Sequence, residues 1–338
     1  MTGITSGRQS RRQYLIGAAA VGTASIAGCM GDNGAESWVM GTSEQGTSSF
    51  SIGQALQSVL RNNSDQVEVS AQASDGQVAN ARQLGDTYDL ALLSNNIHYD
   101  SLEERGPFAD EAPDNPAYLG FSTTSSECFM VTRADSDIET YDDLVGETIT
   151  TFGSGSALYQ LTATIFEELG IYDDYDYRDI PLSDFGSALD EGRIDACGAY
   201  TTLLGTSISG GMQDLESRVD LQALEMSDEQ QAAVEEVVAP EVQQISPESF
   251  DNIDDVLAWT DVANVVFADH VPEDLAEHAV EVWFDNWGEV QEAYGSMLDN
   301  EGDNLHSGFL DGLPVHPGAA NVFEDRGVET DDWDIGSV

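Results

Sequence analysis

Three short segments carry the chemistry that can be read directly from residue type and spacing. They are Gly41-Thr42-Ser43-Glu44-Gln45-Gly46-Thr47-Ser48-Ser49, Ser74-Asp75-Gly76-Gln77 and Gly153-Ser154-Gly155-Ser156-Ala157. Each falls between a strand-like apolar run and a helix-like one. A helix start leaves backbone N–H groups without intrahelical partners and carries a partial positive charge. Glycine lets a ligand approach the backbone, and serine and threonine add hydroxyls. Such loops hold carboxylates and other anions without a lysine or arginine. A single loop of this kind reads first as a capped helix start; three of them distributed over two halves of a chain read as a binding site.

Catalytic patterns are missing. Gly153-Ser154-Gly155-Ser156 lacks both the G-x-G-x-x-G spacing and the G-K-[ST] of phosphate loops, and no G-x-S-x-G or H-E-x-x-H occurs. His98, His270, His278, His306 and His316 are scattered, and His316 precedes Pro317 in an expected turn. Cys128 and Cys197 lie on predicted strands as buried thiols, a disulfide being the alternative. The sequence therefore gives no catalytic residue, no metal-ligand set and no cofactor motif.

The first residues carry a different chemistry. Arg8, Arg11 and Arg12 precede a diluted apolar run, Leu15 to Ile26, with no acidic residue before Asp32. The run is shorter than the roughly 20 apolar residues a spanning helix needs. Ser10-Arg11-Arg12-Gln13-Tyr14-Leu15 reads as a twin-arginine export signal, and Ile26-Ala27-Gly28-Cys29 as a lipobox with Cys29 as the lipidated residue. Residues 1–28 are expected to be the signal and 29–36 a linker. The product would be a cell-surface lipoprotein anchored to the cytoplasmic membrane.

Composition narrows the partners. The 338 residues include 63 acidic and 11 basic ones, every basic residue an arginine, for a net charge of −52. Nucleic acid is excluded, because phosphate binding needs basic side chains. Apolar periodicity is normal, so the chain is not an acidic disordered tail. An acidic folded surface without lysine fits an extreme halophile, in which salt screens self-repulsion.

The elements that must position the three loops follow from periodicity. Ser37–Met40, Val67–Val69 and Asp89–Leu93 read as strands, and Ile52, Leu56, Val59 and Leu60 mark a helix face. The pattern restarts with strands at Cys128–Thr132, Thr148–Phe152, Tyr177–Pro181 and Ile194–Tyr200. Helices are expected at Leu158–Leu169, Ser183–Asp190 and Asp228–Val238, then a strand at Leu257–Ala268 and a helix opening at Pro272. Alternation of this kind argues for an α/β fold with a largely parallel sheet. Two such units in tandem argue for two lobes with a ligand cleft between them.

Several segments in order resemble the TAXI-type solute-binding receptors of tripartite ATP-independent periplasmic (TRAP) transporters. They are Met40-Gly41-Thr42 with Gly46 to Leu56, Gln77 to Leu84 with Asp89-Leu90-Ala91, Tyr99-Asp100 through Gly106-Pro107-Phe108, Val131 to Ser136, Leu144-Val145-Gly146, Gly153-Ser154-Gly155-Ser156, Ile194-Asp195-Ala196, and Gly312-Leu313-Pro314-Val315-His316-Pro317-Gly318-Ala319. The resemblance implies a two-lobed, type II periplasmic-binding-protein fold, no catalysis, a small carboxylate or amino acid (glutamate- or glutamine-like) as ligand, and a TRAP permease as partner. Carried over by position, it implies Thr42, Thr47, Ser49, Phe50, Asn80, Ser94, Gly153, Ser156, Tyr200 and Thr201 as ligand contacts. The chain departs from the pattern at Ser49-Phe50, where an aromatic pair is usual. It departs also at Ser74-Asp75-Gly76-Gln77, where Asp75 would repel an anion or pair with an amine, and after Ala196, where Cys197 to Thr202 lacks a proline. Lobe one is expected at 37–124 plus 265–338 and lobe two at 125–264. The rival readings are an extracellular hydrolase or lyase on the same scaffold, and the binding protein of an ATP-driven importer.

Overall fold

A computed structural model describes residues 34–235, 241–300 and 304–338. The expected export signal with Arg11 and Arg12, the expected lipidation residue Cys29 and the last part of the helix expected at 228–238 lie outside the described residues.

Among the described residues the strands are β1 (Glu36–Gly41), β2 (Val67–Gln72), β3 (Leu90–Ser94), β4 (Ala117–Arg133), β5 (Thr148–Thr150), β6 (Asp176–Tyr177), β7 (Ala196–Thr202), β8 (Leu221–Ala223), β9 (Glu241–Ile245) and β10 (Val256–Ala268). The helices are α1 (Ser48–Asn63), α2 (Gln77–Gln83), α3 (Asn95–Leu102), α4 (Ala157–Glu168), α5 (Phe185–Asp190), α6 (Gly210–Arg218), α7 (Asp228–Glu235), α8 (Glu273–Asp285), α9 (Trp287–Ala293) and α10 (Pro317–Asp325).

The strands form one continuous sheet in the order β2-β1-β3-β10-β4-β7-β5-β6, with β8 on β4 and β9 on β10. The sheet is mixed, which corrects the expectation of a largely parallel one. Parallel pairs (β1 with β2 and β3, β5 with β6 and β7) lie toward its two ends. The centre is antiparallel, because β10 runs against β3, β4 and β9, and β4 against β7 and β8. The parallel ends follow from strand–helix–strand crossovers. The antiparallel centre arises because the chain passes between the two halves twice, once in each direction.

Buried apolar side chains fall into two clusters. One includes Trp38, Leu56, Leu92, Phe121, Phe267 and Trp283. The other includes Phe129, Tyr141, Phe166, Phe185 and Trp259. The fold is two-lobed, and β4 and β10 are the strands that belong to both halves. Between the clusters both strands turn polar, with Ser122-Thr123-Thr124-Ser125-Ser126-Glu127 on β4 facing Thr260-Asp261 and Asn264 on β10. Hydroxyls here find acceptors within the protein. Ser122 donates to Asn264 Oδ1 at 2.9 Å, Thr123 to the Ala263 carbonyl at 2.8 Å and Thr124 to the Ser296 carbonyl at 2.8 Å. Glu127, fully buried, accepts from Ser125 and Thr201. The β4–β10 register shifts at Ala263/Asn264 and again at Val265/Val266, so the crossing is irregular as well as polar.

The C-terminal motif has a structural role. His316, expected in a turn, is the N-cap of α10. Its Nδ1 accepts the Gly318 N–H at 3.2 Å and its Nε2 donates to the Val271 carbonyl at 3.1 Å, which ties α10 to the chain just after β10. Cys128 and Cys197 are buried free thiols. No helix among the described residues is long and apolar enough to cross a membrane.

Candidate functional site

A cavity of about 390 Å³ lies in the cleft between the two lobes. Its lobe-one wall comes from the start of α1 (Thr47, Ser48, Ser49), the loop before α2 (Asp75, Gly76, Gln77) and the end of β3 (Ser94). The opposite wall comes from the loop and first turn of α4 (Gly153 to Leu158), from Asp179 to Leu182, and from Phe152, Phe185 and Tyr200. The floor is the polar crossing, with Thr124 and Ser126 from β4 and Asp261 and Ala263 from β10.

The helix starts have the caps expected of them. Thr47 caps α1 by accepting the Phe50 N–H at 3.3 Å, and Ser156 caps α4 by accepting the Tyr159 N–H at 3.1 Å. Capping satisfies one N–H in each first turn and leaves the others directed past the helix end. The positive ends of a 16-residue and a 12-residue helix, one from each lobe, thus reach the same cavity.

The two lobes meet beside the cavity, glycine to glycine. A Cβ on Gly76 would lie 2.5 Å from the Gly155 carbonyl oxygen, and one on Gly155 would lie 2.6 Å from the Asp75 carbonyl oxygen. Gly76 has φ +109°, a backbone region that side chains disfavour. Asn96 at the start of α3 reaches across to the Ala157 carbonyl at 3.2 Å. Tyr200 lines the cavity from β7. Burial raises its hydroxyl, and the Ser209 and Ser48 hydroxyls oppose that shift.

Of the residues implied as contacts, Thr47, Ser49, Ser94, Gly153, Ser156 and Tyr200 are brought together around the cavity. The others stand behind it. Thr42 is fully buried: its hydroxyl donates to the Gln72 carbonyl at 2.7 Å, and its carbonyl accepts from Ser74 and Asn80. Asn80 spends its amide on the Thr42 and Leu92 carbonyls. Phe50 lies one residue past the lining part of α1, and Thr201 bonds Glu127 on the far face of the crossing. Thr42 and Asn80 thus position the loops that line the cavity.

The lining holds no lysine, arginine, histidine or cysteine, and four carboxylates: Glu44, Asp75, Asp179 and Asp261. The first three are exposed, and Asp179 accepts from the Ser154 hydroxyl. Asp261 differs. It is only 3% exposed, and its Oδ1 has no hydrogen-bond partner. Burial pushes its carboxyl up to about 7. The Ser94 hydroxyl opposes the shift, although it lies outside hydrogen-bond geometry. Sequence reading missed Asp261, because an aspartate inside a mostly apolar strand, Leu257 to Ala268, carries no motif. Its presence in a run that must be buried was the available signal.

Residues 40–327 match the NMT1-like family. The chain belongs to that family. No curated protein matches it. Among solved structures, this NMT1-like protein is similar to MatC from Rhodopseudomonas palustris, solved with bound malate, at 13% identity over 86% of this chain and 96% of that one, with a TM-score of 0.51. The periplasmic binding protein BugD is similar at 13% identity over 87% and 98%, also with a TM-score of 0.51. A Xanthomonas citri protein bound to ATP is similar at 11% identity over 78% and 90%, again at 0.51. At these identities the likeness establishes the two-lobed periplasmic-binding-protein fold of the NMT1-like chain.

Proposed function

We propose that this NMT1-like protein is an extracytoplasmic solute receptor without catalytic activity. It would be exported by the Arg11-Arg12 signal, lipid-anchored through Cys29, and bind a small carboxylate or amino acid between lobes 37–124 plus 265–338 and 125–264. The observation that carries the reading is the cavity in the cleft, lined by helix starts from both lobes. One fact supports the absence of catalysis: the lining has no histidine, cysteine or lysine. The sequence resemblance to TAXI receptors supports a TRAP permease as the recipient of the solute, and the lysine-free acidic composition supports a halophilic setting. Solute would bridge the two helix starts and hold the lobes closed, and the closed form would be what the permease recognises.

The test is a thermal-shift screen of the signal-free protein in multimolar KCl against amino acids, dicarboxylates, sulfonates and sugars. A ligand at 100 times its Kd stabilises by about 2.7 kcal/mol. The expected result is a clear shift with one amino acid or carboxylate, recovered chemically unchanged. Turnover of the bound compound, or no shift across the panel, would overturn the reading. Capture of the solute-loaded, lipid-anchored form with its membrane partner then separates a TRAP permease from an ATP-driven importer.

A further inference from the structure

The charge distribution of the cavity is lopsided in a way the helix starts do not explain. Two positive helix ends suit a carboxylate, yet the lining's one buried carboxyl group, Asp261, is itself an anion whenever it ionises. Asp261 sits on the cavity floor, 3% exposed, with Oδ1 unpartnered. Its neighbours across the strands are neutral: Ser126 opposite it on β4, and Ser94 at the end of β3. No arginine or histidine lines the cavity to compensate it, and Glu44, Asp75 and Asp179 add further negative charge near its mouth. A buried polar group without a partner is costly, and a buried charge more so. An isolated aspartate retained at the centre of a cavity is therefore a group whose partner arrives with the ligand.

We infer that the solute presents an ammonium nitrogen to Asp261 Oδ1, and that Asp261 selects amino acids against carboxylates of the same shape that lack the amine. An organic ammonium brings several N–H donors and a full positive charge to one carboxylate. A metal ion is less suited, since no group of three or more His, Cys, Asp or Glu able to hold one occurs among the described residues. The opposite end of the ligand, a carboxylate, faces the starts of α1 and α4, where Ser48, Ser49 and Ser156 offer hydroxyls and backbone N–H groups. The site then reads a zwitterion by its two ends. Plain dicarboxylates would leave Asp261 buried beside a second anion. This inference rests on the receptor reading above and assigns its specificity.

The experiment is titration calorimetry in molar KCl with matched pairs that differ only by ammonium against hydroxyl: alanine and lactate, aspartate and malate, glutamate and 2-hydroxyglutarate, leucine and 2-hydroxyisocaproate. The wild-type protein is expected to bind at least one amino acid about 100-fold more tightly than its hydroxy-acid twin. Asp261→Asn is expected to weaken that amino acid by a similar factor and to leave the hydroxy acid within a few-fold. Equal binding of the twins by the wild type overturns the ammonium inference while leaving the receptor reading intact. So does unchanged amino-acid affinity in a folded Asp261→Asn. Binding of none of the eight compounds overturns both. The twin comparison uses the wild type alone, so it decides the matter even where the variant fails to fold.

Discussion

Asp261 is the residue at which stability and function pull apart. The unfolded chain ionises it near its ordinary value of about 4, and the folded protein holds its proton to about 7. Between those values the folded state keeps a proton the unfolded state has released, so stability falls as pH rises, and the loss is complete above about 7. Asp261→Asn removes this dependence. The difference in unfolding free energy between the variant and the wild type is expected to be small near pH 4, and to grow toward pH 7 by at most about 1.4 kcal/mol per pH unit. It should then level off, with the variant the more stable ligand-free protein. Chemical denaturation at several pH values checks this, and a difference that does not change with pH would refute it. The comparison cancels the buried histidines His98 and His316, which burial lowers to about 4 and which tilt stability the opposite way on the acid side. A site that carries an unsatisfied carboxylate in its empty form gives up stability for recognition.

At the scale of elements, the meeting of the loop before α2 with the loop before α4 depends on two missing side chains. Gly155 has no positive φ, so alanine there is compatible with its backbone, and its Cβ would meet only the Asp75 carbonyl of the other lobe. Gly155→Ala is therefore expected to leave the folding of each lobe intact while opposing closure. Overpacking of this kind costs about 1–3 kcal/mol, so ligand affinity should fall by roughly tenfold to a hundredfold. Calorimetry with X-ray scattering checks both parts: weaker binding, and a smaller contraction on adding ligand. Unchanged affinity would mean that the lobes do not need this contact. The helix starts were legible because capping and glycine chemistry are local. The crossing strands were only half legible. Cys128 to Thr132 reads as a strand because it is a short apolar run, but Ser122 to Glu127 is polar and largely buried at once. The acceptors for the Ser122, Thr123 and Thr124 hydroxyls lie on β10 and at Ser296, more than a hundred residues away in the chain. No window along the sequence can show that such hydroxyls are satisfied.

At the scale of the whole molecule, charge dominates. Among the described residues few ion pairs offset the net −52 locally, and pairs such as Arg133 with Asp135 and Arg218 with Asp214 are exposed. Exposed pairs contribute little, so repulsion between surface carboxylates must be screened by solvent ions. The Debye length falls from about 10 Å at 0.1 M salt to about 3 Å at 1 M. The melting temperature of the soluble protein is expected to rise steeply with KCl over this range, and to rise with NaCl likewise; a flat response would show that the acidic surface is tolerated without screening. The sequence by itself determined this charge, the strand–helix alternation in two units and the three helix-start loops, because each depends on residues near one another in the chain. The tertiary structure alone decided that the sheet is antiparallel at its centre, that Thr42, Asn80 and Thr201 stand behind the cavity, and that Asp261 lies unpartnered on its floor. Those facts depend on which distant strands become neighbours, and the pairing of β4 with β10 is set by two lobes burying their cores on either side of it.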